Sequence, residues 1–165
     1  MTHLHKLRPL VWLVLAPALL CGAVGSLRPG TWRPHTQTEL LTHTLYAYRG
    51  WQSTGVVLAP GDQVRLTAKG EWQYSPVVQM HDANGGLWAP DFYPLGRGRS
   101  PGGALIGRIG ENGEPFFVGR RSTLYADVAG FLYLRINDDL LGDNHGQLSL
   151  TIERLSAPAA DGVGR

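Results

Sequence analysis

The stretch LYLRINDDLLGDNHGQLSLTI, running from Leu132 to Ile152, decides how this chain is read. Leu132, Leu134 and Ile136 alternate with Tyr133 and Arg135, and Leu148, Leu150 and Ile152 alternate with Ser149 and Thr151. A period of two marks a strand with one face buried. The two runs therefore predict strands on either side of a short loop carrying Asn137, Asp138, Asp139, Asp143 and Asn144. Paired strands hold the ends of such a loop close, so its oxygen donors converge on a small volume. Carboxylates crowded in this way repel one another unless a cation sits between them, and oxygen donors suit a hard cation such as calcium. Asp, Asn and Gly are also ordinary turn residues. From these residues alone, both readings stand.

The same period recurs outward from this stretch. Val64, Leu66 and Ala68 alternate with Arg65 and Thr67, and Leu124, Ala126 and Val128 alternate with Tyr125 and Asp127. Turn signals separate the runs at Ala59-Pro-Gly-Asp62, Glu111-Asn-Gly-Glu114 and Ala129-Gly130. No helical stripe is visible. Short strands with Gly- and Pro-rich turns predict an all-β fold, an antiparallel jelly-roll-like β-sandwich. Trp51 and Trp72 sit in strand-like context and are expected in the core.

The exception is Asp82 to Gly103, which is rich in Gly and Pro and has no period. A loop of that length in a compact domain is usually functional or disordered. It carries Trp88, Phe92 and Tyr93, aromatic residues that disordered loops rarely hold. Trp88 is a candidate platform, because a flat indole stacks on the apolar face of a sugar ring.

No catalytic motif is present. The chain lacks G-x-S-x-G and H-E-x-x-H, and its one cysteine is Cys21. Gly96-Arg-Gly-Arg-Ser-Pro-Gly-Gly103 is glycine-rich but lacks the Gly-Lys-Ser/Thr of a phosphate loop. The acidic loop lacks the ligand spacing of an EF-hand. A glycosidase usually draws its two carboxylates from opposite walls of a cleft, whereas Asp138 and Asp143 share one loop. The expectation is a protein that is not an enzyme. His81 and His145 each have a plain reading, a local hydrogen bond for the first and a solvated turn for the second.

The N-terminal end reads differently from the rest. Lys6 and Arg8 precede an apolar run from Pro9 to Gly25, and Ala23-Val24-Gly25 offers a small-x-small cleavage site. Residues 1–25 are expected to be a secretory signal or, uncleaved, an N-terminal membrane anchor through residues 9–25. A lipoprotein reading of Cys21 is weak, because Ala18-Leu19-Leu20 puts no small residue beside it. The expected location is secreted, periplasmic or at a bacterial cell envelope. Residues 26–42 read as a linker, 43–155 as the domain and 156–165 as a tail. The chain has 15 basic and 13 acidic residues, and Lys6 and Arg8 are the only charges before residue 26, which leaves 13 of each. No basic patch with interleaved aromatics appears, so nucleic acid is not an expected partner.

Several pieces, in order, resemble a known family. They are Trp51-Gln-Ser-Thr-Gly55, Pro60-Gly-Asp62, Ala68-Lys-Gly-Glu-Trp72, Gly103-Ala-Leu-Ile-Gly-Arg-Ile-Gly110, Phe117-Val-Gly119, Gly130-Phe-Leu-Tyr-Leu134, and Asn137-Asp138 to Asp143-Asn-His-Gly146. The chain is similar here to the calcium-dependent, galactose-binding bacterial lectins of the PA-IL (LecA) type. The resemblance implies a small jelly-roll sandwich holding Ca2+ through Asp138, Asp143, Asn144 and the backbone carbonyls of Tyr74 and of Leu140 or Leu141. It implies that Asp138 and Asn144 also meet the sugar, with Asp139, Trp88, Asp91 and His145 shaping specificity. The long loop departs from the family, with Ala89 and Phe92 near the places of a His and a Gln that hold galactose. The implied partner is a glycan or polysaccharide, with a homo-oligomer as a means of presenting several weak sites together. The alternative is a non-catalytic structural or protein-interaction sandwich that keeps the fold without sugar binding.

Overall fold

A computed structural model of the chain describes residues 38–87 and 89–156, which form eight strands. These are β1 (Thr38–Tyr46), β2 (Gln52–Leu58), β3 (Gln63–Gln73), β4 (Leu105–Ile109), β5 (Phe116–Phe117), β6 (Arg121–Tyr125), β7 (Gly130–Ile136) and β8 (His145–Leu155). They pair into two four-stranded sheets, ordered β1-β8-β3-β6 and β2-β7-β4-β5, with every pairing antiparallel. This is the all-β sandwich that the alternation predicts.

The core is built from the inward face of each strand. Leu66 lies across from Ile152 and Ala68 from Leu150 in one sheet, and Leu132 lies across from Ile109 and Ile136 from Leu105 in the other. All are buried in one apolar cluster that also takes Leu45, Val56, Leu58 and Trp72. Each fully buried Leu or Ile contributes roughly 1.5–3 kcal/mol. At the centre of β4, a Cβ on Gly107 would stand 2.7 Å from the Phe116 ring and 3.0 Å from Leu134. A side chain there would displace Phe116 and Leu134, its neighbours on the strands to either side.

Three expectations need correction. The first strand begins at Thr38, inside the stretch read as linker, because Thr38 to Thr42 pair with Leu155 to Thr151. These residues are mostly exposed at an edge strand, so they carry little of the apolar alternation that marks a buried strand. Val128 is 49% exposed, since β6 ends at Tyr125 and the alternation runs past it into a turn. Trp72 is in the core, but Trp51 is half-buried on the outer face of its sheet. The signal or anchor at 1–25, most of the 26–42 linker and the tail beyond residue 156 lie outside the described residues. Among the described residues no helix is long and apolar enough to cross a membrane.

Candidate functional site

The β7–β8 loop is positioned from both ends. Leu134 and Ile136 bury one end of it, and Leu148 buries the other. Between them, Leu141–Asp143 forms a single 3-10 turn, closed by the Asn144 amide donating to the Leu141 carbonyl at 3.4 Å. The turn lies between Asp138 and the start of β8, with Asp143 at its end and Asn144 as its cap.

Three side-chain oxygens in this loop are buried without a hydrogen-bond partner: Asp138 Oδ2, Asp143 Oδ1 and Asn144 Oδ1. Such orphaned atoms are rare, because a buried polar group without a partner costs about 1–3 kcal/mol, and a charged one more. The orientation of Asn144 is fixed, since its amide nitrogen donates to the Ala47 carbonyl at 3.2 Å. A carbonyl accepts only from the NH2 end, so the Asn144 oxygen faces the other way. Asp138 is 1% exposed. Two carboxylate oxygens and one amide oxygen thus share the same unmet demand, and all three are donors that a hard cation accepts. Among the described residues no three His, Cys, Asp or Glu side chains gather as a metal cluster. The unpartnered oxygens of this loop number three only when the amide is counted.

Asn137 is a different case. Its oxygen accepts from the Leu95 amide at 3.0 Å, and its nitrogen donates to the Leu95 carbonyl at 2.9 Å and to the Pro101 carbonyl at 3.0 Å. Every polar atom of the side chain is occupied, so Asn137 is a clamp on the long β3–β4 crossover rather than a cation donor. The crossover is ordered by further bonds. The Trp72 indole donates to the Gly103 carbonyl at 2.7 Å, and the Gly103 amide donates to the Asn137 carbonyl at 2.9 Å. Gly103 has φ +73°, and a Cβ there would stand 2.3 Å from His81 and 2.4 Å from Tyr74. Only glycine lets the crossover approach this closely.

The crossover delivers a residue that the sequence did not single out as a site residue. The Tyr93 hydroxyl donates a hydrogen bond to the Asp138 carboxylate. Its pKa is pushed up, first by burial, then by that hydrogen bond and the negative charges of Asp138 and Asp139, with Tyr74 adding to them. From the β7 side, Arg135 donates to the Ile136 carbonyl at 3.0 Å and to the Asp138 carbonyl. Burial lowers the pKa of Arg135; Asp138 and Asp139 oppose that shift and Arg108 adds to it.

The remaining expected residues divide. Tyr74 is buried just after β3, its ring 5.2 Å from that of His81. Leu141 is half-buried, and its carbonyl already receives the Asn144 amide. Asp139 and His145 are exposed, with His145 Nδ1 3.0 Å from the Asp143 carbonyl, the turn contact of the plain reading. His81 makes the local bond expected of it, Nδ1 to the Asp82 carbonyl at 3.0 Å. Asp91 is ion-paired with Arg97 at 3.4 Å, and both side chains are largely in solvent. Trp88 lies outside the described residues. Tyr93 had one sequence signal, an aromatic between Pro90 and Pro94 in a loop otherwise rich in small residues.

Taken as architecture, this is a small antiparallel β-sandwich with a loop site at one end. A solved structure described as "EclA N-terminal domain; PllA-like lectin" matches it with a TM-score of 0.53 and 23% sequence identity, covering 70% of this chain and 97% of that one. At that identity the likeness is one of fold. No protein-family model and no curated protein matches the chain.

Proposed function

We propose that this chain is a non-catalytic, calcium-dependent carbohydrate-binding module. The observation that carries the reading is the set of three buried, unpartnered oxygens on Asp138, Asp143 and Asn144. The lectin domain that shares the fold supports the choice of a glycan as ligand. Calcium bound there supplies a centre that accepts sugar hydroxyls as ligands. The chain's own residues do the rest. Asp138 and Asp143 would neutralise the cation, Asn144 would present a fixed oxygen, and the carbonyls of Tyr74 and Leu141 would complete the set, the Leu141 oxygen through the lone pair that the Asn144 amide leaves free. Tyr93 and Arg135 hold Asp138 in place from either side. Asp139 and His145, exposed at the rim, are available to a sugar that projects from the cation.

The galactose preference of the resembling lectins does not carry over. Ala89 is buried and has no polar side-chain atom, and Phe92 is 69% exposed with its ring edge-on to Tyr93 at 5.5 Å. Neither supplies the hydrogen bonds that a polar pocket uses to select a sugar. Phe92 offers instead an apolar surface for a sugar face. The same departure favours a second reading, a sandwich that binds protein rather than sugar. In this reading the module acts outside the cytoplasm, secreted or anchored at the envelope as the N-terminal pattern suggests, and a homo-oligomer would multiply weak sites.

The test is calorimetric titration of calcium into the chelator-treated chain, beside Asp138→Ala. Saturation at about one ion per chain is expected, with none in the mutant. Retention on a glycan array should then require calcium. A folded chain that takes up no calcium would overturn the reading.

A further inference from the structure

The outer face of the β2-β7-β4-β5 sheet carries Arg108, a cation that the calcium reading leaves unused, close to Arg135. Arg108 of β4 lies across from Tyr133 of β7, and Ile106 lies across from Arg135. Trp51 directly precedes β2, where Gln52 lies across from Leu134. Alternation along the strands sends Trp51, Arg108, Tyr133 and Arg135 to the same side, away from the core. The Arg108 guanidinium carbon is 4.4 Å from the Trp51 ring centre and 5.4 Å from that of Tyr133. The Arg135 guanidinium carbon is 5.6 Å from the same Trp51 ring. One indole thus holds two cations.

Stacking orients a guanidinium while leaving its in-plane N–H groups free to donate. Arg135 uses some of these on the Ile136 and Asp138 carbonyls, with Asp138 and Asp139 nearby. Arg108 has no such outlet, and its Nε is buried without a partner. Among the described residues the ion-paired arginines are Arg65, Arg97, Arg120 and Arg154, so neither Arg108 nor Arg135 has a carboxylate within salt-bridge range. Two like charges on one ring repel, and an anion between them relieves both. The planar fork of a guanidinium fits a carboxylate or an oxyanion such as sulfate through paired N–H bonds.

We propose that Arg108 and Arg135, stacked on Trp51, form an anion subsite at the rim of the candidate calcium site, selecting a saccharide that bears a carboxylate or sulfate. The physical link is Arg135, which touches both Trp51 and the Asp138 backbone. The sugar part of this inference rests on the calcium–glycan reading, whereas the anion part does not. An acidic sugar would place its hydroxyls on the cation and its charged group on the guanidinium pair.

The experiment follows the arginine Nε–Hε signals of the full chain by NMR during titration with galacturonate, glucuronate, their neutral parent sugars and inorganic sulfate. Each titration is run with calcium and again with chelator. With calcium, at least one uronate should move the Arg108 and Arg135 signals saturably and bind about tenfold tighter than its neutral parent, the size of one charge-assisted hydrogen bond. Sulfate should move the same signals more weakly. Arg108→Gln should reduce uronate binding to the level of the neutral sugar. Lys69→Gln, an exposed cation on the other sheet, should not. If the anions move these signals while calcium does not bind, the subsite stands and the calcium reading falls. If calcium binds and neither sulfate nor either uronate moves an arginine signal, the subsite is overturned and the calcium reading stands.

Discussion

Asp62 and Asp138 are both buried carboxylates, at 2% and 1% exposure, and both sit where a strand meets a turn. Their surroundings differ. Asp62 Oδ2 accepts from the Ala59 amide at 2.9 Å and from the Arg154 guanidinium at 3.0 and 2.9 Å. Its charge is met by an opposite charge, and its turn is tied across β3 to β8. Asp138 has Tyr93 on its carboxylate, but Oδ2 remains buried with no partner. The positive group nearest in function, Arg135, spends a donor on the Asp138 backbone carbonyl. One aspartate is compensated within the fold, and the other keeps a buried oxygen without a partner, as the proposed calcium site requires. Burial alone does not tell a scaffold carboxylate from a binding carboxylate; the difference lies in whether its oxygens are all satisfied.

The largest effect expected from this contrast is at Asp62. Breaking a buried ion pair by removing one partner leaves the other charge uncompensated, and Asp62→Ala should lower unfolding free energy by about 3 kcal/mol. The figure sits at the low end because the Arg154 side chain is 24% exposed and can reach water and Glu39. Urea denaturation measures it, and the loss should be equal in calcium and in chelator. A loss that calcium restores would mean that Asp62 belongs to the binding site and would dissolve the contrast.

Asp138→Asn should behave in the opposite way. In chelator, removal of an unmet buried charge should leave unfolding free energy within about 1 kcal/mol of the parent, in either direction. In calcium, the parent should gain stability by linkage, reaching about 2.7 kcal/mol at a hundredfold excess over Kd, and the variant should gain none. Thermal melts with and without calcium read both halves. A variant as destabilised in chelator as Asp62→Ala would show that Asp138 is a second scaffold carboxylate.

The strands were legible because a buried face imposes a period of two wherever a strand is half-covered. Leu132 to Ile136 and Leu148 to Ile152 therefore read correctly without any knowledge of what they pack against. The misreadings fall where that rule gives no information. Trp51 was expected in the core from its strand-like context alone, and such context does not say which face of the sheet a side chain takes. Val128 continues the period beyond the point where pairing stops. β1 begins early because edge residues pair through the backbone, which leaves no mark on side-chain type. In the site, the sequence offered Asp138, Asp143 and Asn144 as oxygen donors in one loop, and the fold adds that each has a buried oxygen without a partner. Asn137 looked like a fourth donor, yet an amide can satisfy a backbone N–H and C=O together, and only the fold shows that it does so at Leu95. Tyr93 was not visible as a partner of Asp138, because the two are brought together by the path of the crossover rather than by any local pattern.

The smallest effect concerns Asp91, a residue expected from the sequence to touch sugar. The structure pairs it with Arg97 across 3.4 Å, with side chains 75% and 74% exposed. Water screens such a pair, and ordering two long side chains offsets most of what attraction remains. Asp91→Ala should change stability by less than about 0.5 kcal/mol. It should also leave calcium-dependent glycan retention unchanged, because Asp91 is held by a crossover arginine and shares none of the buried, unpartnered character of Asp138. A tenfold or greater loss of retention in a variant of unchanged melting temperature would place Asp91 on the ligand. Exposure and a satisfied partner would then no longer separate scaffold from site here, and the crossover tip would have to be counted with the β7–β8 loop as a binding surface.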